Sequence, residues 1–295
     1  MKRFRKMTII GPTRFTEDSK KRMREEFADE LIIVPYVPRD EEELIGVIGD
    51  SDCVLVALQV KVTAKVIEAC PQIRYIGMCC SLYNPESANV DILAANAKGI
   101  TVTGIRDYGD EGVVEFVISE LVYLLHGFGG HQWRKDPTEL TGHKVGILGM
   151  GTVGKRITKA LNFFGAEVYY YSRTKKDDVE AAYLPLTELL ETVEICIGCL
   201  NKNAVIIGRE EMKHFGTGKI MVNIAIGPFV ETEVLGEWLQ DSRNFYICDE
   251  LWGLGNEEYG LRPNVICPKK SAGTSTQLVG RYNRKILENI ENYLA

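Results

Sequence analysis

A chain of 295 residues is long enough for two ordinary domains with ample cores. Its 45% apolar and 26% charged residues describe a globular protein rather than a disordered or fibrous one. The net charge of −6 argues against a general nucleic-acid or membrane-surface binder. The longest apolar stretch, around Val113 to Leu125, is interrupted by Glu115 and Glu120 and is too short to span a bilayer. At the start, Lys2, Arg3, Arg5 and Lys6 are followed only by the short run Met7 to Ile10, which is no secretory signal, so a cytoplasmic location is expected.

Taken in chain order, short apolar runs alternate with amphipathic stretches. Met7–Ile10, Leu31–Val37, Cys53–Leu58, Ile73–Met78 and Ile100–Val102 are expected to be strands, and Glu17–Asp29, Glu41–Ile48, Thr63–Cys70 and Val90–Lys98 helices. Gly99 suits the C-terminal cap of the last of these. Glu111–Phe128 follows as a long helix, then the turn-rich stretch Gly127–Pro137. A second series begins at Lys144, with strand Val145–Leu148, helix Lys155–Phe164 and strand Glu167–Tyr171. Glu194–Gly198, Lys219–Ile224, Phe245–Cys248 and the short Asn264–Cys267 are further strands, and Thr274–Tyr293 closes the chain as a helix. Strand–helix alternation at this spacing implies right-handed crossovers and parallel sheets. The expected class is therefore α/β, with two Rossmann-like or flavodoxin-like doubly wound domains.

Eight cysteines are present. Cys53, Cys196, Cys199 and Cys248 sit inside apolar runs and are expected to be buried free thiols in a reducing compartment. Cys196 and Cys199 form a C-x-x-C and Cys79 adjoins Cys80, but no second ligand pair stands at a matching spacing, so no metal site is expected.

The sharpest motif is Gly149-Met-Gly151-Thr152-Val153-Gly154, preceded by a strand and followed by a helix that ends at Gly165. Gly149 permits the tight turn, Gly151 lets the backbone approach a pyrophosphate, and Gly154 lets helix and strand pack closely. The phosphates then meet the amides and positive dipole of the helix N-terminus. The plain alternative is a structural glycine-rich turn. At the end of the next strand, where an NAD site usually has Asp or Glu, stands Ser172-Arg173-Thr174-Lys175-Lys176. No carboxylate there repels a 2′-phosphate, two hydroxyls can bond it, and the cations can neutralise it. NADP(H) is the expected cofactor, with NAD(H) as the other possibility; a solvated basic turn is the bland reading.

With these pieces in place the chain resembles the D-2-hydroxyacid dehydrogenase family. The resemblance runs through Glu111-Gly-Val-Val-Glu115, Glu139-Leu-Thr-Gly-His-Lys-Val-Gly-Ile-Leu-Gly149, Met212-Lys213, Val222-Asn223-Ile-Ala-Ile-Gly227, Asp249 and Asn264-Val-Ile-Cys-Pro268. It implies a substrate domain from residues 1–110 plus 272–295, a cofactor domain from 111–271, an active site between them, and a homodimer joined through the cofactor domains. It also implies that Leu200, Asn201, Asn203, Ile224, Ala225, Ile226, Asp249 and Ser271 flank the nucleotide together with the glycine loop, Thr152, Val153 and Ser172–Lys175. Asp249 matches an acidic position near the nicotinamide; capping the following loop is the alternative, and loop hydrogen bonding would equally explain Asn201 and Asn203.

The family's catalytic set does not carry over. It uses an Arg to hold a 2-keto-acid carboxylate, a His to move the proton, and an acid to support the His. Here Ile226 stands at the Arg position, Lys269 at the His position, and the acid falls near Leu254, with Glu257 and Glu258 close by. His126, His131, His143 and His214 all lie elsewhere and are expected to be structural or solvent-facing. The segment Cys79–Asn89 is longer than the family's substrate loop. Lys269 or Lys270 is a candidate proton donor, Arg106 a replacement guanidinium, and Tyr83 a further polar group at the site; exposed lysines, a surface Arg and a packing Tyr are the plain alternatives. The expected function is NADP(H)-dependent reduction of a small carbonyl or imine substrate. A catalytically silent dinucleotide-sensing or partner-binding module, and an ordinary 2-keto acid reductase, remain the alternatives.

Overall fold

The computed structural model describes residues 3–295; Lys2, part of the basic N-terminal stretch, lies outside the described residues. The chain divides into two compact units, residues 1–108 with 275–295, and 109–274.

The first unit contains β1 (Phe4–Ile10), α1 (Glu17–Arg22), β2 (Ala28–Val34), α2 (Glu41–Ile48), β3 (Cys53–Val56), α3 (Ala64–Ala69), β4 (Tyr75–Ser81), α4 (Ile92–Ala97) and β5 (Thr101–Ile105). Its sheet is wholly parallel, in the order β2-β1-β3-β4-β5. That is the flavodoxin-like order. β3 and most of β4 are buried on both faces, as parallel strands covered by helices must be, which is why their sequences are continuous apolar runs.

Three expectations are corrected here. The helix expected to run to Asp29 ends as α1 at Arg22, continues as a π-helical turn through Met23–Phe27, and gives way to β2. Ala28 and Glu30 pair with Phe4 and Lys6 instead, because a strand at this sheet edge satisfies their backbone groups. The strand expected to stop at Met78 runs on to Ser81, so Cys79, Cys80 and Ser81 belong to β4 and not to a substrate loop. Likewise β5 continues past Val102 to Ile105.

In the second unit follow α5 (Asp110–His126), β6 (Lys144–Leu148), α6 (Thr152–Phe163), β7 (Glu167–Tyr171), β8 (Ala182–Tyr183), α7 (Leu186–Thr192), β9 (Ile195–Gly198), α8 (Arg209–Phe215), β10 (Ile220–Asn223), α9 (Thr232–Trp238), β11 (Phe245–Cys248) and β12 (Val265–Ile266). α5 stops at Gly127, which caps it in the left-handed conformation at φ 75°. The sheet is again parallel, ordered β12-β11-β10-β9-β6-β7-β8. The strand order reverses between β6 and β9, and this switch point opens a crevice at the C-terminal strand ends. Separate apolar clusters cover the two faces of this sheet.

α10 (Thr276–Leu294) returns the chain to the first unit. Ser275 caps it by accepting from the Leu278 N–H at 3.0 Å. Leu278, Tyr282, Ile286, Leu287, Ile290 and Leu294 form one buried face that joins β1 and β4 in a common core. The break points at 108/109 and 274/275 thus fall beside helix caps, Gly109 and Ser275.

Candidate functional site

The second unit assembles its candidate site from the C-terminal ends of β6, β7, β9, β10 and β11. At the end of β6, Gly149 has φ 98°, and a Cβ there would lie 2.5 Å from the Cys199 carbonyl oxygen after β9. Only glycine meets both demands. A Cβ at Gly154 would lie 2.3 Å from the Gly149 carbonyl oxygen, so the first turn of α6 is pressed against the loop it follows. Gly151 differs: it caps α6, and a Cβ there would meet no protein atom within 4 Å. Nothing inside this chain requires that glycine. The missing side chain leaves open space beside the exposed first turn of a twelve-residue helix with no side-chain cap. These residues fit the pyrophosphate of a dinucleotide, whose charge the free amides and helix dipole would offset. Thr152 is exposed and Val153 half-buried in that first turn.

At the end of β7, Ser172 donates from Oγ to the Thr174 carbonyl at 2.7 Å, folding the turn on itself. Arg173, Thr174 and Lys175 are exposed, and Lys175 lies 5.9 Å from the Tyr183 ring centroid. Two acids follow Lys176: Asp177 is exposed, and Asp178 is engaged by Lys155 at 2.5 Å.

The loops after β9 and β10 are tied together. Asn203, left-handed at φ 57°, donates its backbone N–H to the Ile226 carbonyl at 2.8 Å. Ile224 is half-buried, Ala225 buried and Ile226 49% exposed, so Ile226 presents an apolar side chain to solvent. Leu200 packs into the core while Asn201 is exposed.

Buried Asn223 was quoted in the sequence only as part of a motif, yet it organises this rim. Its amide donates to Gly227 O at 3.0 Å and Gly253 O at 2.9 Å, and its oxygen accepts from Ala225 N at 2.9 Å. A polar residue ending an apolar strand was the available signal.

Asp249, just beyond β11, clamps the segment after β12. Its carboxylate accepts the Ala272 N–H and its carbonyl the Lys270 N–H, each at 2.9 Å. Burial pushes this carboxyl above the usual Asp range, with the Ala272 N–H opposing. Lys269 and Lys270 are exposed; Lys269 takes φ 56°, unusual for a residue with a Cβ. Half-buried Ser271 accepts from Thr274 N at 3.0 Å.

Arg106 and Tyr83 belong to the first unit. Arg106 donates to the carbonyls of Leu82 and, at 2.8 Å, Tyr83, and its guanidinium lies 5.4 Å from the Tyr83 ring centroid. Its charge is therefore spent partly on its own loop. The histidines have their own partners: His143 contacts Glu194 at 2.8 Å, His214 contacts Glu191 at 2.6 Å, His126 stacks on Phe128, and His131 meets Phe245 edge-on. All eight cysteines are free thiols. Among the described residues no group of His, Cys, Asp and Glu is arranged to hold a metal, and no helix is long and apolar enough to cross a membrane.

A family model for the "D-isomer specific 2-hydroxyacid dehydrogenase, NAD binding domain" matches residues 123–251. The chain is 30% identical over 226 residues to a hydroxypyruvate reductase of Blautia hydrogenotrophica, covering 69% of each. It is 28% identical over 266 residues to a glyoxylate reductase of Thermococcus gammatolerans, covering 81% of this chain and 78% of that one. An acyclic imino acid reductase solved in complex with NADPH and D-Arg shares the fold, with a TM-score of 0.81 and 20% identity over 98% of this chain and 97% of that one. The chain belongs to the D-isomer-specific 2-hydroxyacid dehydrogenase family.

Proposed function

We propose that this protein is an NADP(H)-dependent reductase of a small carbonyl or imine substrate, working with an altered catalytic set. The observation that carries the reading is the pairing of an open pyrophosphate cradle at Gly151 with a strand end, Ser172–Lys176, that bears cations and no carboxylate. Arg173, Lys175 and the hydroxyls of Ser172 and Thr174 hold the 2′-phosphate; Thr152, Val153, Leu200, Asn201, Asn203, Ile224, Ala225, Asp249 and Ser271 line the rest of the dinucleotide. When bound, the reduced nicotinamide supplies a hydride. Arg106 and Tyr83 are the proposed groups for the substrate.

Reduction of a carbonyl leaves charge on its oxygen, which needs a proton donor. Lys269 or Lys270 gives that proton from Nζ, and Asp249 orients the segment that carries both. Exposed Ile226 cannot pair with a carboxylate, so the preferred substrate lacks a free carboxylate beside the reacting carbon or binds it elsewhere. The exposed Phe163 and Phe128, on or just beyond the neighbouring α6 and α5, suit a homodimer joined through this unit. Light scattering should give a dimer mass for the native chain and a monomer mass for Phe163→Glu; a native monomer would remove the dimer from the proposal.

The decisive experiment is titration with NADPH and NADH, read by energy transfer from the three tryptophans. A panel of keto acids, ketones and imines then follows by nicotinamide absorbance. NADPH should bind at least tenfold more tightly than NADH. Turnover should be lost in Lys269→Gly or Lys270→Ala; glycine at 269 removes the ammonium while accepting the left-handed backbone. Preference for NADH would overturn the reading of Ser172–Lys176. The exposed Ile226 also favours a second reading, a catalytically silent dinucleotide sensor, which tight binding without any turnover would select.

A further inference from the structure

β11 and β12 form one edge of the second sheet, paired in parallel with Tyr246 opposite Val265 and Ile247 opposite Ile266. One residue further on, the same register sets Cys248 opposite Cys267. Both side chains join the same apolar cluster, Cys248 buried and Cys267 half-buried at its margin. Neighbouring strands lie about 4.8 Å apart, within the span a disulfide bridges. The two thiols stand close enough to set each other's proton affinity, and the backbone N–H of left-handed Lys269 lies beside Cys267.

This surrounding sets Cys267 apart. Burial pushes the Cys53, Cys79, Cys196 and Cys199 thiols up, making them poor nucleophiles. The Cys248 S–H, with help from the Lys269 N–H, holds Cys267 below the usual thiol range, against its own burial and the nearby charges of Glu250 and Asp249. Hydrogen bonding to Cys267, then burial, holds Cys248 up as the protonated partner.

The geometry points to Cys267 and Cys248 as a peroxide-responsive dithiol that disconnects the segment bearing Lys269 and Lys270 when it is oxidised. The oxidant is a hydroperoxide. The Cys267 thiolate attacks its terminal oxygen, the O–O bond breaks, and the alkoxide or hydroxide released takes a proton from solvent. Cys248 sulfur then attacks the sulfur of the resulting sulfenic acid; the S–O bond breaks and water leaves with the Cys248 proton. Two thiols give up two electrons, and the hydroperoxide accepts them. The disulfide costs Cys267 the Lys269 N–H, and it shifts the strand ends on which Asp249 holds Lys270 and Ala272.

Formation of the bond does not depend on the proposed reductase activity; its effect on cofactor binding does. The test treats the reduced full-length chain with one equivalent of hydrogen peroxide, blocks free thiols, digests without reductant and maps the cysteines by mass spectrometry. Expected is a peptide pair joined through Cys248 and Cys267 that dithiothreitol separates. Cys267→Ser should yield no such pair, and Cys248→Ser, which keeps a hydrogen-bond donor beside Cys267 but no resolving thiol, should leave a sulfenic acid on Cys267 that dimedone traps. Absence of the pair in the native chain, or first oxidation at Cys199, would overturn the proposal. In parallel, NADPH titration should show at least a tenfold loss of affinity after oxidation, restored by dithiothreitol and absent in Cys267→Ser. A cross-linked protein with unchanged affinity would overturn the switch. If the reduced chain binds no NADPH, the reductase reading falls while the mapped disulfide still decides the dithiol.

Discussion

Gly151 and Gly154 stand three residues apart in one loop and are glycine for different reasons. Gly154 is required by the protein itself, since a Cβ would collide with the Gly149 carbonyl. Gly151 is required by nothing in the chain and adopts φ −85°, which any residue accepts. Gly154→Ala should therefore lower unfolding stability by about 1–3 kcal/mol, the usual cost of forcing volume into a packed contact. Gly151→Ala should leave stability within about 0.5 kcal/mol and weaken NADPH binding tenfold or more. Urea unfolding and cofactor titration on the two variants separate these roles; equal destabilisation would show that the open space at Gly151 is not a binding feature. The glycine pattern was legible in the sequence because each role has its own position in the motif. The role of Asn223 was not, because its three hydrogen bonds reach backbone groups that only the folded loops bring near.

At the scale of elements, the β6 and β9 strand starts are tied by a charged cluster. Glu194, just before β9, meets His143 at 2.8 Å and Arg134 at 2.6 Å. Burial pushes the Glu194 carboxyl up, but the hydrogen bonds from His143 and Arg134 outweigh it and hold the group below the usual Glu range. A folded pKa below the unfolded one means that the unfolded chain binds the extra proton. The contribution to stability is complete above the unfolded value, about 4.3, and is lost as pH falls through the folded value. In Glu194→Gln the melting temperature should fall less steeply with acid below about pH 4.3 than in the native chain. Parallel acid limbs would show that the cluster contributes no pH-dependent stability. The strands themselves were legible as apolar runs, whereas the end of α1 was not: Ala28 and Glu30 continue a helical pattern, and pairing with β1 decides their conformation.

In the whole molecule, each unit has its own apolar clusters, with α10 returning to complete the first. Two cores permit two unfolding transitions in calorimetry. Because the proposed cofactor residues all lie in residues 109–274, NADPH should raise the transition of that unit. At a hundredfold excess over Kd the stabilisation is about 2.7 kcal/mol. A single transition would show that the units unfold as one, and an equal shift of two would show that the cofactor stabilises both units.

The order of elements, the two parallel sheets and the glycine loop were determined by sequence alone, because each depends on local periodicity, turn chemistry or a short motif. The tertiary structure decided which loops share a rim. Asn203 with Ile226, Asp249 with Ala272 and Cys248 beside Cys267 are each about twenty residues apart along the chain. They meet because strand order and register place their strand ends side by side, and no local pattern encodes that placement.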